Sequence, residues 1–254
     1  MSVILASDFS WFSLVPGLGH SETGPNLVPF AHSMLVVTVL LVVALIARMT
    51  LLKKLRSGDR RDALVPDADL RPRNLFELVI EFVYGLCRQE LGKDAARFFP
   101  LIGTIFLYIL LCNLLGLVPG FVPATSNINT NIGVALCVFF VYNISGLMAH
   151  GVGYIKHFMG PVLWLAPLMF VIEVVGAVAR PVSLSVRLYG NMFGDHTVLS
   201  IFMHELPAQT SPVLAYGIPV IFLGLGTFVC IVQAFVFSLL SIIYISLAVK
   251  HEDH

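Results

Sequence analysis

The sequence predicts an all-α integral membrane protein with about five membrane helices and an interfacial amphipathic helix, ending in a long, steeply tilted helical hairpin. Three observations predict this class. Of the 254 residues, 57% are hydrophobic and only 12% are charged, whereas a soluble domain is typically about 25% charged. The apolar residues come in blocks, several of which reach the roughly 20 residues that a spanning helix needs. Two blocks near the C-terminus are much longer than that.

The overall charge and the cysteines exclude several classes of function. The formal net charge is zero, so the chain lacks the basic surface that binds nucleic acid. The four cysteines all lie in apolar stretches, and none is part of a CxxC pair. This pattern favours packing roles over metal binding or disulfides. We therefore expect no metal site and no cofactor.

Residues 27–49 form the first candidate span. The preceding segment, 1–26, has neither the basic start nor the clean apolar core of a signal peptide. Five basic residues lie within the eleven residues 51–61, and basic loops mark the cytoplasmic side of a membrane. We expect residues 1–26 to lie outside and the first span to run inward.

Residues 50–97 are predicted to form the main cytoplasmic connection, because eleven of the 15 Lys and Arg residues lie between Arg48 and Arg97. Within this connection, residues 74–90 have an amphipathic pattern that predicts a helix lying along the inner interface. Its narrow polar stripe consists of Glu77, Glu81 and Arg88. A buried span is the alternative, although both glutamates would then need partners.

Residues 98–150 are predicted to form a helical hairpin. Its first arm, 98–120, runs outward, residues 121–131 form an external turn, and the second arm, 132–150, returns inward. The loop up to residue 160 is then cytoplasmic.

Residues 161–249 contain two apolar arms that are too long to stand upright in a bilayer. No convincing turn lies between residues 161 and 205, which gives a helix of about 67 Å, and residues 213–249 give roughly 55 Å. The hydrocarbon core is only about 30 Å thick. Either the arms are broken, or they form a steeply tilted hairpin. Residues 250–254 return to the cytoplasm, so 1–254 is a single membrane domain.

The first long arm carries a polar stripe around Arg187. On a straight helix, the residues within about 60° of Arg187 are Glu173, Arg180, Ser183, Gly190, Asn191 and Gly194. His196 falls on the opposite side. The two glycines are four residues apart, a spacing that lets another helix approach closely.

Arg187 is the charge in this stripe that most needs an explanation. Charged residues inside membrane segments are costly and generally functional, and a guanidinium cannot lose its proton to reduce that cost. Glu173 lies about 21 Å away along the helix axis, so we expect a carboxylate partner from another protein. Arg180 is different, because snorkelling to the surface or pairing with Glu173 would explain it.

Three separated stretches resemble the a subunits of F-type ATP synthases. The stretch "RPVSLSVRLYGN" (180–191) is similar to that family's PxSLxxRLxxN signature. The stretches "NLLGLVPG" (113–120) and "VQAFVFSLLSIIYIS" (232–246) also resemble the family, and the order of segments fits from residue 27 onward.

This resemblance implies a membrane bundle whose last two helices are tilted and wrap a rotating ring of c subunits. It implies three partners: the c-subunit ring, the b-type peripheral stalk subunits and the rest of the synthase. The lipid bilayer surrounds the bundle, and the expected location is a bacterial plasma (inner) membrane.

The resemblance also implies roles for single residues. Arg187 takes the position of the essential arginine that faces the ring carboxylate, and Asn191 is the amide of the same pattern. Gln233 matches the polar residue of the last helix near that arginine. Glu173 matches an acid in one of two aqueous half-channels.

The second half-channel departs from the family pattern. His196 is similar to the His or Glu found there, which some members pair with a His or Glu seven positions before the glutamine. Gly226 stands at that position in this chain, so we expect Asp195 or water to substitute. The small or polar residues that we expect to face the ring are Ser183, Gly190 and Gly194.

The predicted function is therefore a non-catalytic stator subunit that passes protons to and from the ring, with Arg187 as the gate. One alternative is a self-contained secondary ion transporter, which would show inverted repeats, and the two halves show none. Another is a membrane metalloenzyme. His204 and Glu205 are adjacent, but they are not part of an HExxH motif.

Overall fold

The computed structural model describes residues 28–56, 72–118, 121, 123–151, 153–154, 164–204 and 212–249. Within these ranges the regular elements are α-helices and short 3-10 turns, and there is no strand. The helices are α1 (Val28–Arg56), α2 (Pro72–Leu91), α3 (Ala95–Gly116), α4 (Ile128–His150), α5 (Ala166–His204) and α6 (Pro212–Val249). The predicted all-α class is confirmed. The predicted terminal segments, 1–26 and 250–254, lie outside the described residues.

The outer surface of this bundle is apolar. Large hydrophobic side chains such as Phe30 and Leu41 are 59% exposed, and an apolar surface of this extent is suited to lipid. Five stretches of the described chain are long and apolar enough to cross a membrane: Val28–Ile46, Glu77–Gly116, Ile128–His150, Ala166–Asp195 and Val220–Val249. The chain is therefore an integral membrane protein.

Helices α2 and α3 follow each other almost without interruption. They are separated by the 3-10 turn Gly92–Asp94, where Gly92 has a φ of 57° that favours glycine. The sequence placed the start of the second span at residue 98, whereas α3 begins at Ala95. The last three residues of the predicted connection 50–97 therefore belong to α3.

Helix α2 is amphipathic, as its sequence indicated. It buries Val83 and Cys87 against the bundle, while Glu81 and Arg88 are exposed. The apolar side packs on α3 and α6, and the Ser246 hydroxyl of α6 donates to the backbone oxygen of Glu90 at 3.0 Å. Its position along the membrane interface stays a prediction.

The turn between α3 and α4 lies four residues earlier than the predicted 121–131. Helix α3 ends at Gly116, and α4 begins at Ile128. The early start of α4 has a local cause, because the side chain of Asn127 accepts a hydrogen bond from the backbone N–H of Asn129 at 2.9 Å. Asparagine is among the preferred residues at this capping position. A prediction based on apolar periodicity alone missed this polar first turn.

The two long arms are continuous helices of 39 and 38 residues, or about 58 and 57 Å at 1.5 Å per residue. Pro181 lies inside α5 and has no N–H to offer the carbonyl of Ala177, one turn earlier. The hydroxyl of Tyr142 on α4 donates to that carbonyl instead, at 3.4 Å. Of the two possibilities that the sequence left open, the structure has the unbroken one. The steep tilt stays a prediction.

The centre of the bundle is formed by α3, α4 and α6. Helix α2 packs on α3 and α6, helix α5 on α4 and α6, and helix α1 on α3. The largest fully buried side chains include Tyr142, Phe237, Ile102 and Ile109. Because α5 packs on one side of this core, its other side is left open.

Gly116 lies where α3, the following turn and α5 come closest together. A Cβ atom built on it would lie 2.6 Å from Cβ of Pro123 and 2.7 Å from Cε of Met192. We predict that Gly116→Ala destabilises the purified chain by about 1–3 kcal/mol, the usual effect of overpacking. Gly133→Ala is the matched control, because a Cβ there meets no atom within 4 Å. Equal thermal stability of the two variants would contradict this packing.

Candidate functional site

Helix α5 has a buried face and an exposed face. The buried residues recur every three or four positions: Ala177, Pro181, Leu184, Ser185, Leu188 and Met192. This spacing is that of one helix side, and it packs against α4 and α6. The opposite side exposes Val182 and Val186, each by about half of its surface. The candidate site lies on and beside this exposed face.

Arg187 lies in the middle of the exposed face of α5. It makes no hydrogen bond or ion pair within the part of the chain that the structure describes. The exposed residues one turn away, Ser183, Gly190 and Asn191, are small or uncharged, and the exposed Val182 and Val186 lie further round the helix. A charge in such surroundings is costly unless it is paired. The arrangement favours a carboxylate partner on another chain, as the sequence indicated.

The small residues predicted beside Arg187 leave this face open. Ser183 and Gly190 are exposed, and Gly194 is half-buried. A Cβ atom built on either glycine meets no atom within 4 Å. Nothing in the described part of the chain packs against the pair of glycines, so another helix has room to approach the backbone of α5 closely.

Asn191 and Gln233 are joined by a direct hydrogen bond. The Asn191 Nδ2 donates to Gln233 Oε1 at 2.7 Å, a good distance for such a bond. Asn191 is on the exposed side of α5, whereas Gln233 on α6 is only 4% exposed. The bond therefore links the two long helices one turn away from Arg187. The sequence predicted both amides as site residues but did not predict that they contact each other.

Asp195 and Gly226 line the same cleft. This cleft has a volume of about 120 Å³ and lies between α5, α6 and the end of α3. It exceeds the roughly 15 Å³ that one water needs. A Cβ atom on Gly226 would lie 2.9 Å from Cδ2 of Leu117, the end of a flexible side chain. The missing side chain at Gly226 thus helps to leave this space beside Asp195.

A narrower crevice adjoins this cleft, since Asp195 and Met192 line both. Its polar lining residues are Asn113, Asn191, Asp195 and Gln233. The structure therefore brings together three of the predicted site residues and adds one. The side chain of His196 lies outside the described residues, although its backbone is part of α5.

Glu173 and Arg180 form a separate cluster on α5, on the N-terminal side of Arg187. Arg180 pairs with Glu173 at 3.9 Å, and its guanidinium lies 5.8 and 5.4 Å from the ring centroids of Tyr142 and Tyr244. These are cation–π distances. Both charged side chains are partly exposed. Arg180 is thus explained by partners in its own chain, whereas Arg187 is not.

Tyr154 lies just beyond the end of α4, where its ring covers Gly146. Its hydroxyl donates to Asn143 Oδ1 at 3.2 Å. Burial raises the pKa of this hydroxyl, so it remains a neutral donor at physiological pH.

Sequence reasoning missed Asn113, Tyr142, Tyr154 and Tyr244. Asn113 begins the stretch "NLLGLVPG", which was noted as a resemblance without a role for its first residue. An amide within an apolar helix is a signal that could have singled it out. No such signal marks the tyrosines, because their rings suit any buried helix face.

The described residues contain no group of three His, Cys, Asp or Glu side chains that could hold a metal ion. Comparison with known protein families identifies the family of the chain. Residues 30–246 match the family model described as ATP synthase A chain. The chain belongs to the ATP synthase A chain family.

Relatives at about 40% identity cover most of this chain. The chain is 42% identical over 250 residues to ATP synthase subunit a of Bdellovibrio bacteriovorus, covering 97% of this chain and 99% of that one. It is 41% identical to the corresponding protein of Geotalea daltonii, with 91% of each chain covered. Family membership gives the chain the a-subunit role in proton transport and ATP synthesis by an F-type ATP synthase in a membrane.

The amide bond between α5 and α6 can be tested by a double-mutant cycle. We predict that Asn191→Val and Gln233→Leu each lower the unfolding free energy by about 1–3 kcal/mol, because each leaves one amide unpaired. The double variant should lose clearly less than the sum of the two. Asn191→Val combined with Thr104→Val is the control pair, since Thr104 bonds within its own helix. Thermal unfolding in detergent measures the effect, and simple additivity for Asn191 and Gln233 would contradict a direct bond.

Proposed function

We propose that this chain is the non-catalytic stator of the membrane sector, in which two offset half-channels pass protons to and from carboxylates of the c-subunit ring. Arg187 separates the two half-channels. The observation that carries this proposal is the exposed, unpaired position of Arg187 within the described part of the chain, on a face lined by small residues. A ring helix that carries a carboxylate has the shape and charge to fit that face.

The two access points lie on opposite sides of Arg187 along α5. Asp195 is eight residues beyond it, or about 12 Å along the axis, and Glu173 is fourteen residues before it, or about 21 Å. Together these distances span roughly 33 Å along the axis of α5, so the two access points are well separated. Protons that enter on one side can therefore reach the ring without a continuous pore through the chain.

Each half-channel has its own polar groups. The outer one begins at the cleft beside Asp195 and Gly226 and ends near the Asn191–Gln233 bond. We assign His196 to this side, because it directly follows Asp195 in the sequence. A histidine can relay protons near neutral pH. The inner one runs along Glu173, which Arg180 holds in place.

Arg187 acts through its fixed charge. Two unit charges 4 Å apart attract each other by about 4 kcal/mol at an effective dielectric constant of 20. This attraction favours the ionised form of a ring carboxylate beside Arg187, and the same charge repels a proton that moves directly between the half-channels. A membrane potential supplies about 2.3 kcal/mol per proton for each 100 mV.

The partners and orientation follow from the same proposal. The c ring covers the exposed face of α5, and b-type stalk subunits hold the chain against rotation. The N-terminus lies outside and the C-terminus in the cytoplasm, because basic residues concentrate between Arg48 and Arg97. The relatives described above are bacterial, which supports a bacterial inner membrane. A self-contained transporter would cover its central charge with its own helices, and no helix among the described residues covers Arg187.

The two arginines of α5 should differ sharply when substituted. We predict that Arg187→Ala and Arg187→Lys each abolish ATP-driven proton pumping in inverted vesicles, because a lysine lacks the planar fork and can lose its proton when buried. Arg180→Ala should retain substantial pumping, because that side chain anchors a partly exposed ion pair. Near-normal pumping by Arg187→Lys at equal subunit content would refute the proposed gate.

The carboxylate in the outer cleft should also matter. We predict that Asp195→Asn lowers passive proton flux through membrane sectors stripped of their catalytic head by about a hundred-fold or more, the usual scale for a lost proton-transfer group. Asp94→Asn is the control, because Asp94 is an exposed carboxylate in the turn before α3. His196→Ala should slow the flux as well. Should Asp195→Asn conduct like wild type while His196→Ala does not, the histidine alone carries the outer path.

A further inference from the structure

A row of buried polar side chains connects the turn before α4 with the crevice beside Asp195. Asn131, in the first turn of α4, donates from Nδ2 to the backbone oxygen of Thr125 at 2.7 Å. The Thr125 hydroxyl donates to Asn113 Oδ1 on α3, also at 2.7 Å. All three residues are at most 1% exposed.

The row places three uncharged polar side chains in the buried interior of the bundle. Polar groups cost free energy when they are removed from water, and hydrogen bonds of good geometry offset much of that cost. The Oδ1 of Asn131 is buried and makes no hydrogen bond within the described residues. Ordered water commonly satisfies a buried oxygen of this kind. The outer end of the row can therefore accept a hydrogen bond from water.

The inner end of the row faces the candidate site. Asn113 lines the crevice that Asn191, Asp195 and Gln233 also line. Because the Thr125 hydroxyl occupies its oxygen, the plane of the Asn113 amide is fixed, and Nδ2 is the group left for the crevice. The Asn113 amide and Asp195 therefore line one narrow crevice, which has no room for a water of its own and adjoins the larger cleft.

We propose that Thr125 and Asn131 are positioning residues for the outer half-channel, which fix the amide of Asn113 at the wall of the Asp195 crevice. Neither residue carries the proton. Thr125 holds the amide, and Asn131 holds the backbone of Thr125. The inference rests on the proposed function, because it assigns this crevice to the outer half-channel.

Thr125→Val tests this inference most directly, because valine keeps the branched shape and removes only the hydroxyl. We predict that passive proton flux per assembled complex falls roughly five-fold, about the worth of one hydrogen bond. Thr125→Ser should restore most of the flux. Ser126→Ala is the matched control, because the Ser126 hydroxyl donates to the Pro123 backbone oxygen at 2.8 Å and does not reach Asn113.

A second readout separates positioning from simple bracing of the turn. Flux through Thr125→Val should depend more steeply on the outer pH than in wild type, because delivery from outside becomes limiting, while its dependence on the inner pH stays unchanged. Asn131→Leu, a substitution of similar size, should have the same signature. Wild-type flux in both variants would overturn the inference. So would a loss of flux whose dependence on the outer pH and on the inner pH changes equally.

The outcome is distinguishable from a failure of the proposed function. If Arg187→Lys abolishes pumping and Thr125→Val conducts normally, the gate stands and the positioning role is wrong. If Arg187→Lys pumps normally, the assignment of half-channels is wrong whatever Thr125→Val does.

Discussion

The guanidinium of Arg187 lies on a side of a long helix that no other described element covers, beside small residues. Arg187 has no hydrogen bond or ion pair within the described part of its own chain, while Arg180, seven residues earlier, is held by Glu173 and two tyrosine rings. The interpretation of the rest of the site depends on this difference between the two arginines. The charge can be tolerated there when a second protein brings a carboxylate to it.

The bundle is built so that this face of α5 stays open and straight. Buried residues on the other side of α5 pack against α4 and α6, and the Asn191–Gln233 bond links the two long helices. Pro181 cannot donate a backbone hydrogen bond to the carbonyl of Ala177, and the Tyr142 hydroxyl donates to that carbonyl instead. In a medium without water, such replacement bonds allow a proline within a continuous helix.

The sequence predicted the helical membrane class, two arms much longer than a bilayer is thick, and the family, because these depend on composition, apolar runs and the stretch around Arg187. It did not predict the start of α4 at Ile128, which depends on a local cap at Asn127. Nor did it predict the row from Asn131 to Asn113, because these residues are distant in sequence and meet only through tertiary packing. The crevice beside Asp195 is formed by three helices, so no single stretch encodes it.

The central claim is that the partner of Arg187 belongs to another chain. The most direct measurement is an experimental structure of the assembled membrane sector, with the distance from the Arg187 guanidinium to the nearest carboxylate. We predict that this carboxylate comes from a ring subunit and lies within about 4 Å, or is joined to Arg187 by one water. A structure in which Arg187 turns to an acid of its own chain, or faces lipid away from the ring, would contradict the account.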